Sequence, residues 1–249
     1  MAGHSKWSQI KRKKGANDQK RGQLFSKLSR EISVAAREGG PNPDANARLR
    51  MAIERAKSES MPNDNIERAI AKASGAGSDG VNFETVFYEG YGPSGVAVMA
   101  MALTDNRNRT ASEVRTAFNR NNGTLGETGC VSWQFETVGQ IVVPYHGTDP
   151  DEVAMVAIEA GAIDVDPAED AIYITTEPPG LSDVTDQLRE HGFTIEQGEI
   201  QRLPQNTVEL DVNDASKTLK LLDALDDLDD IQHVFTNAAF PADVEEVVA

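Results

Sequence analysis

Apolar residues recur at helical spacing from residue 18 to 73, and from residue 83 onward strand and helix spacing alternate. This change of period restricts the chain to a helical part followed by an α+β part. Over 18–38, Leu24, Phe25, Leu28, Ile32, Ala35 and Ala36 fall within one arc of about 120°. Gly39-Gly40-Pro41 ends this helix. A second helix is expected over 43–57, capped by Asn42, with Pro43 in its first turn and Leu49, Ala52, Ile53 and Ala56 inward. A third begins near Asn63-Asp64, turns Ile66, Ala69, Ile70 and Ala73 inward, and ends at Gly75. The three helices are expected to form one small domain. A Gly/Ser-rich link over 74–80 follows.

Beyond the link, strands are expected at 83–88, 96–103 and 131–135, with a helix at 110–121 that turns Val114, Ala117 and Phe118 inward. Strands at 141–143, 163–165, 172–175 and 193–200 alternate with helices at 150–160 and 181–190. This is the β-α-β-β-α-β order of a ferredoxin-like unit. A last β-α-β, at 208–212, 215–225 and 231–235, completes the sheet begun over 81–135. The expected fold is α+β: an N-terminal three-helix domain followed by two ferredoxin-like α/β-sandwich domains, one inserted in the other. The expected boundaries are 1–77, then 78–136 with 206–240, and 137–205 for the insertion.

Charge is segregated along this frame. The net charge is −16, yet residues 1–75 hold 16 Lys/Arg against 8 Asp/Glu, while residues 121–249 hold 4 against 27. The first thirty residues carry nine cations and one carboxylate, Asp18. Such asymmetry points to a polyanionic partner for one end only. The single cysteine, Cys130, excludes an intramolecular disulfide and suits a reducing compartment. Residues 1–23 lack the apolar run of a signal peptide, and no stretch approaches the ~20 apolar residues of a membrane span. A cytoplasmic protein without membrane contact is expected.

The candidate contacts begin with Lys6 and Trp7, continue through Lys11, Arg12, Lys13 and Lys14, and reach Lys20, Arg21, Lys27 and Arg30. Four consecutive cations form an electrostatic footprint for phosphates. Trp7 either stacks on a base or packs onto the helices. Lys20, Lys27, Arg30 and Arg37 share an arc of about 100° beside the apolar face of the first helix. A second candidate surface is Arg107 and Arg109, with Arg115 and Arg120 after them. The alternative there is helix capping by Asn108 or Thr110 together with local ion pairs. No zinc-finger spacing or bZIP heptad is present; the three helices leave a helix-turn-helix open, with no turn signature to establish it, so sequence-specific readout is undecided.

Other motifs carry less. Gly90-Tyr91-Gly92-Pro93-Ser94-Gly95 matches G-x-G-x-x-G but leads into a strand-like run, so it reads as a hairpin loop rather than a dinucleotide site. Asp223, Asp226, Asp227, Asp229 and Asp230 lack the spacing and glycine of an EF-hand and read as a solvated helix face. Cys130 reads as a small apolar residue, and His4, His146, His191 and His233 have no ligand spacing. No catalytic residue, metal, cofactor or small-molecule substrate is expected.

Gly3-His4-Ser5-Lys6-Trp7, Phe25-Ser26-Lys27-Leu28, Met61-Pro62-Asn63-Asp64-Asn65-Ile66-Glu67-Arg68-Ala69-Ile70, Tyr88-Glu89-Gly90-Tyr91-Gly92-Pro93-Ser94-Gly95-Val96 and Leu103-Thr104-Asp105-Asn106-Arg107-Asn108-Arg109-Thr110 resemble the YebC/PmpR family. The resemblance is dense from residue 3 to about 135 and thinner beyond; Ala238-Ala239 departs from the usual close. It implies three domains with the third inserted in the second, and a cytoplasmic DNA-binding transcriptional regulator. Some members, with mitochondrial relatives that activate translation, imply instead a ribosome partner, rRNA binding and relief of stalling at proline-rich stretches. The resemblance implies no metal, cofactor or catalytic residue.

Overall fold

The computed structural model describes residues 7, 18–74, 83–145, 147–168 and 171–241, the side chains of 18–20 and 74 excepted. Seven α-helices and three sheets lie among them. By packing, the chain divides into two units. One gathers the described residues of Met1–Glu31, Gly77–Glu136 and Leu203–Ala249, the other those of Ile32–Ala76 and Thr137–Arg202. This cut runs through the first helix and groups the rest of the helical part with the inserted segment.

Helix α1 spans Asp18–Gly39, α2 Ala47–Ser58 and α3 Asn63–Ser74. Leu28, Ile32, Ala35 and Ala36 of α1 are buried, Leu24 and Phe25 half-buried. The cap of α2 is Asn46, not Asn42. Asn42 Oδ1 accepts from Asp44 N (3.0 Å) and closes a local turn, so the helix starts later. Asn46 is extended, and its Oδ1 accepts from Leu49 N at 3.0 Å. Its Nδ2 donates to Ala35 O and Gly40 O, both at 2.8 Å, so one buried amide closes α1 and opens α2. Gly39 leaves room for it, since a Cβ there would lie 2.5 Å from Asn46 Nδ2. Gly40 turns the chain at φ +90°.

The first unit holds an antiparallel sheet of order β3-β1-β2-β9: β1 Glu84–Tyr91, β2 Ala97–Thr104, β3 Thr124–Leu125 and β9 Ile231–Thr236. The loop from β1 to β2 holds a 3-10 turn, Pro93–Gly95, with Gly95 at φ +76°, and no α-helix begins there. The G-x-G-x-x-G match is therefore a hairpin loop. Helices α4 (Arg107–Arg120) and α7 (Val212–Asp226) pack on Val98, Ala100 and Ala102. On the reverse face Ala97, Met99 and Met101 meet Phe87, Val131, Phe135 and Phe235. Both faces of β2 are covered, hence its unbroken apolar run. The expected strand over 131–135 is instead a 3-10 turn, Ser132–Gln134, leading into β4 (Phe135–Pro144). The turn forms because the buried Glu89 carboxylate collects the N–H groups of Gly129, Val131 and Ser132.

The second unit orders β4, β5 (Asp164–Pro167), β6 (Ala171–Thr176) and β7 (Gln197–Pro204) as β5-β6-β4-β7. Helices α5 (Pro150–Glu159) and α6 (Leu181–Glu190) cover Ile141, Val143, Ile172 and Ile174. This is the ferredoxin-like strand order. A parallel pair, β8 (Val208–Glu209) with β10 (Ala238–Ala239), accompanies the first unit. No helix of the described residues is long and apolar enough to cross a membrane.

Asn46→Ala removes a cap and strands two carbonyls, and should lower stability by about 2 kcal/mol. Urea unfolding measures this; a change within error would show that the amide does not organise the α1–α2 corner.

Candidate nucleic-acid interface

The cations divide into those neutralised inside the fold and those left outward. Asp230 collects the first group. Its side chain is 4% exposed, and it ends the loop from α7 into β9. Arg30 of α1 approaches its Oδ1 at 3.2 Å, and Arg109 of α4 donates to its Oδ2 at 2.7 Å. The hydroxyls of Thr110 and Thr104 reach Oδ2 at 2.6 and 3.1 Å. Arg30 also donates to Asp229 O (2.7 Å) and Leu103 O (3.3 Å), and its guanidinium lies 5.3 Å from the centre of the Phe83 ring. Burial pushes the Asp230 carboxyl up, but the bonds from Arg109 and Thr110, the Arg30 charge and the Thr104 bond outweigh it and hold the pKa below the ordinary carboxylate value. Arg109 is shifted up, by its bond to Asp230 first and to Asp105 second.

This corrects the reading of the Asp run as a solvated face. Asp230 is the buried end of a charge network, and Asp226 accepts from Lys27 through its backbone oxygen, with its carboxylate 3.8 Å from the Lys27 ammonium. The remaining carboxylates do not gather: no group of His, Cys, Asp or Glu among the described residues is arranged for a metal.

The candidate contact residues fall accordingly. Lys6, Lys11, Arg12, Lys13 and Lys14 lie outside the described residues, as does the Lys20 side chain. Trp7 is 3% exposed and belongs to the cluster containing Val96, Val114, Phe118 and Leu219, so its ring faces are covered by side chains rather than offered to a base. Lys27 and Arg30 are 12% and 18% exposed and engaged as described. Arg107 bonds to Glu84 Oε1 (2.5 Å) and Arg109 to Asp105 and Asp230, the geometry of the ion-pair alternative. Asn106, not Asn108 or Thr110, caps α4 by accepting from Arg109 N, because the helix begins three residues earlier than expected.

Within the second unit, α2 is bound in the same way. Arg50 pairs with Asp186 (3.3 Å), Arg55 with Glu199 (3.3 Å), and Glu54 with Arg189 (3.0 Å). Among the described residues of the first unit, Arg21 on α1, Arg115 and Arg120 on α4 and Lys220 on α7 stand exposed outside ion pairs. Arg120 lines a recess of about 320 Å³ with Ser112, Thr116 and Asn121. Sequence reasoning favoured Arg107 and Arg109 over Arg115 and Arg120. The N-cap at Asn106 is the local signal that puts the first pair against the acidic network.

Residues 83–238 match the family described as TACO1/YebC second and third domain, and residues 5–76 match TACO1/YebC protein N-terminal domain. The chain belongs to the TACO1/YebC family. A relative from Thermomicrobium roseum, named probable transcriptional regulatory protein, is 62% identical over all of both chains. One of the same description from Dehalococcoides mccartyi is 52% identical over 99% of this chain and 98% of its own. The crystal structure of a conserved hypothetical protein, Aq1575 from Aquifex aeolicus, matches this TACO1/YebC chain with a TM-score of 0.83. Its identity is 52%, over 90% of this chain and 92% of its own.

Asp230→Ala should destabilise the first unit by about 2–3 kcal/mol, since it leaves two guanidiniums without their shared carboxylate. Arg107→Ala, at an exposed pair, should cost under about 1 kcal/mol. The folded-state pKa of Asp230 is lowered, so its contribution is full above the unfolded value near 3.8 and fades as pH falls through the lower folded one. Thermal unfolding from pH 7 to 2.5 should therefore show a shallower acid limb for Asp230→Ala than for the wild type. Parallel acid limbs would remove Asp230 from the account.

Proposed function

We propose that this chain is a nucleic-acid-binding regulatory protein, a DNA-binding transcriptional regulator that meets phosphates through its basic N-terminal segment. The observation carrying this reading is where the positive charge remains. The helix cations Lys27, Arg30, Arg50 and Arg55 are neutralised by carboxylates of the acidic part, whereas Arg21, Lys57, Arg68 and Lys72 stay exposed outside ion pairs. The segment before it brings Lys6, Lys11, Arg12, Lys13, Lys14 and Lys20 against one carboxylate, Asp18. Neutralising phosphates releases condensed counterions, which supplies the affinity and makes it salt-dependent. Arg115 and Arg120 add a second, smaller contact on α4. The acidic remainder repels the polymer and so orients its approach. The relatives' names, probable transcriptional regulatory protein, favour the transcription reading.

A ribosome-associated translation factor that binds rRNA is the second reading, and α3 favours it. A helix that reads bases in the major groove does so with its N-terminal residues. The first turns of α3 present Asp64 and Glu67, and Arg68 bonds to Asp64 O and Asn65. That face repels a duplex, which suits a target read by shape.

Promoter-duplex binding under excess competitor DNA, beside co-sedimentation with ribosomes, separates the two. The DNA reading expects a duplex that resists competitor; ribosome association with only non-specific DNA binding would establish the second. Charge reversal at Lys11, Arg12, Lys13 and Lys14 should flatten the salt dependence on duplex DNA by about 0.9 in slope per lost contact. An unchanged slope would remove the cluster from the interface.

A further inference from the structure

Trp133 is 67% exposed, the most exposed of the large apolar side chains among the described residues, and Tyr91 beside it is 39% exposed. Neither ring is loose. Trp133 Nε1 donates to the Cys130 carbonyl at 3.1 Å, and the Tyr91 hydroxyl donates to the same oxygen at 2.9 Å. The loop carrying that carbonyl is itself pinned from beneath. Glu89, 3% exposed, accepts from Gly129, Val131 and Ser132 N–H groups at 2.8–2.9 Å, and Gly129 makes the bend at φ +92°. Burial pushes the Glu89 carboxyl up, but those N–H bonds outweigh it and keep it charged.

A platform whose donors are already engaged has only ring faces to offer. Ring faces take nucleobases by stacking or cations by their quadrupole. The surrounding charge decides between them. From residue 121 to 188 the chain has no Lys or Arg, and Glu127 and Glu136 are exposed on either side of Trp133 in the chain. Next to Glu136 the fold brings in a cation, Arg202, which donates to Thr137 Oγ1 at 3.0 Å. The Cys130 thiol registers the field, raised by burial first and by the charges of Glu89 and Glu127 next. A phosphate polymer is repelled there; a guanidinium is drawn in and held by both ring and carboxylate.

We propose that Tyr91 and Trp133, flanked by Glu127 and Glu136, dock an arginine-rich segment of a partner protein. This surface shares no residue with the basic segment proposed to meet nucleic acid, and the inference does not depend on which nucleic acid that segment binds.

The test uses the full chain and a labelled nona-arginine peptide. Anisotropy should show binding that Trp133→Leu weakens by about tenfold or more, as for an aromatic anchor, and that Glu127→Gln with Glu136→Gln weakens several-fold. Equal affinity for Trp133→Leu would mean that the peptide follows only the net charge, and would overturn the proposal. Trp7 is buried, so acrylamide quenching of the intact protein reports Trp133. Saturating peptide should protect it, and a single-stranded 30-nucleotide DNA should not. Protection by the oligonucleotide instead of the peptide would make the platform a base-stacking surface. Protection that rises with protein concentration alone would assign it to a second copy of this chain. Either result overturns the proposal.

Discussion

A carboxylate taken out of water must be met by opposite charge or hydrogen bonds, or the fold loses several kcal/mol. At Asp230 that requirement draws in Arg30 from α1, Arg109 and Thr110 from α4, and Thr104 from the end of β2. Arg30 extends the tie by donating to the carbonyls of Leu103 and Asp229. One buried acid thus fixes where the first helix meets the sheet of its unit. It also pairs two of the chain's cations, Arg30 and Arg109, within the fold.

The pattern repeats with other partners. Lys27 meets Asp226, Arg50 meets Asp186, and Arg55 meets Glu199. The opposition of a basic beginning and an acidic remainder therefore has a folding role before it has a binding one. Four cations within the first two helices, Lys27, Arg30, Arg50 and Arg55, are complemented by carboxylates of the later sequence. What is left over among the described residues is Arg21 on α1, Arg115 and Arg120 on α4, and the exposed Lys57, Arg68, Lys72 and Lys220, to which the sequence adds the run of cations before Asp18. The acidic surface left over has its own character at Trp133, where rigid ring faces sit among carboxylates without a neighbouring cation in the sequence.

Local periodicity made much of the fold legible. The bounds of α6 were readable to the residue, and the β-α-β-β-α-β order follows from alternation at Ile172 and Ile174 and from helical spacing at Val184 and Leu188. The family was legible because its motifs are dense from residue 3 to 135. Misreadings arose where a distant group decides. The backbone over 131–135 has the residue types of a strand, but Glu89, forty residues earlier, bends it. Asp230 looks like its solvated neighbours, because its partners lie up to two hundred residues away. Trp7 sits in a polar stretch with no apolar period, so its place in a core had no local signature. Of the candidate site, the sequence conveys how much charge there is and where along the chain; which cations stay free depends on contacts formed only on folding.

The central claim is that a phosphate polymer settles on the N-terminal basic segment and avoids the acidic remainder. Photo-crosslinking of the intact protein to a 4-thiothymidine-substituted duplex, and separately to ribosomes, followed by peptide mapping, tests it directly. Crosslinks should fall on residues 6–21, with minor sites at Arg115 and Arg120. Crosslinks concentrated between residues 121 and 249, with the first thirty residues unlabelled, would contradict it.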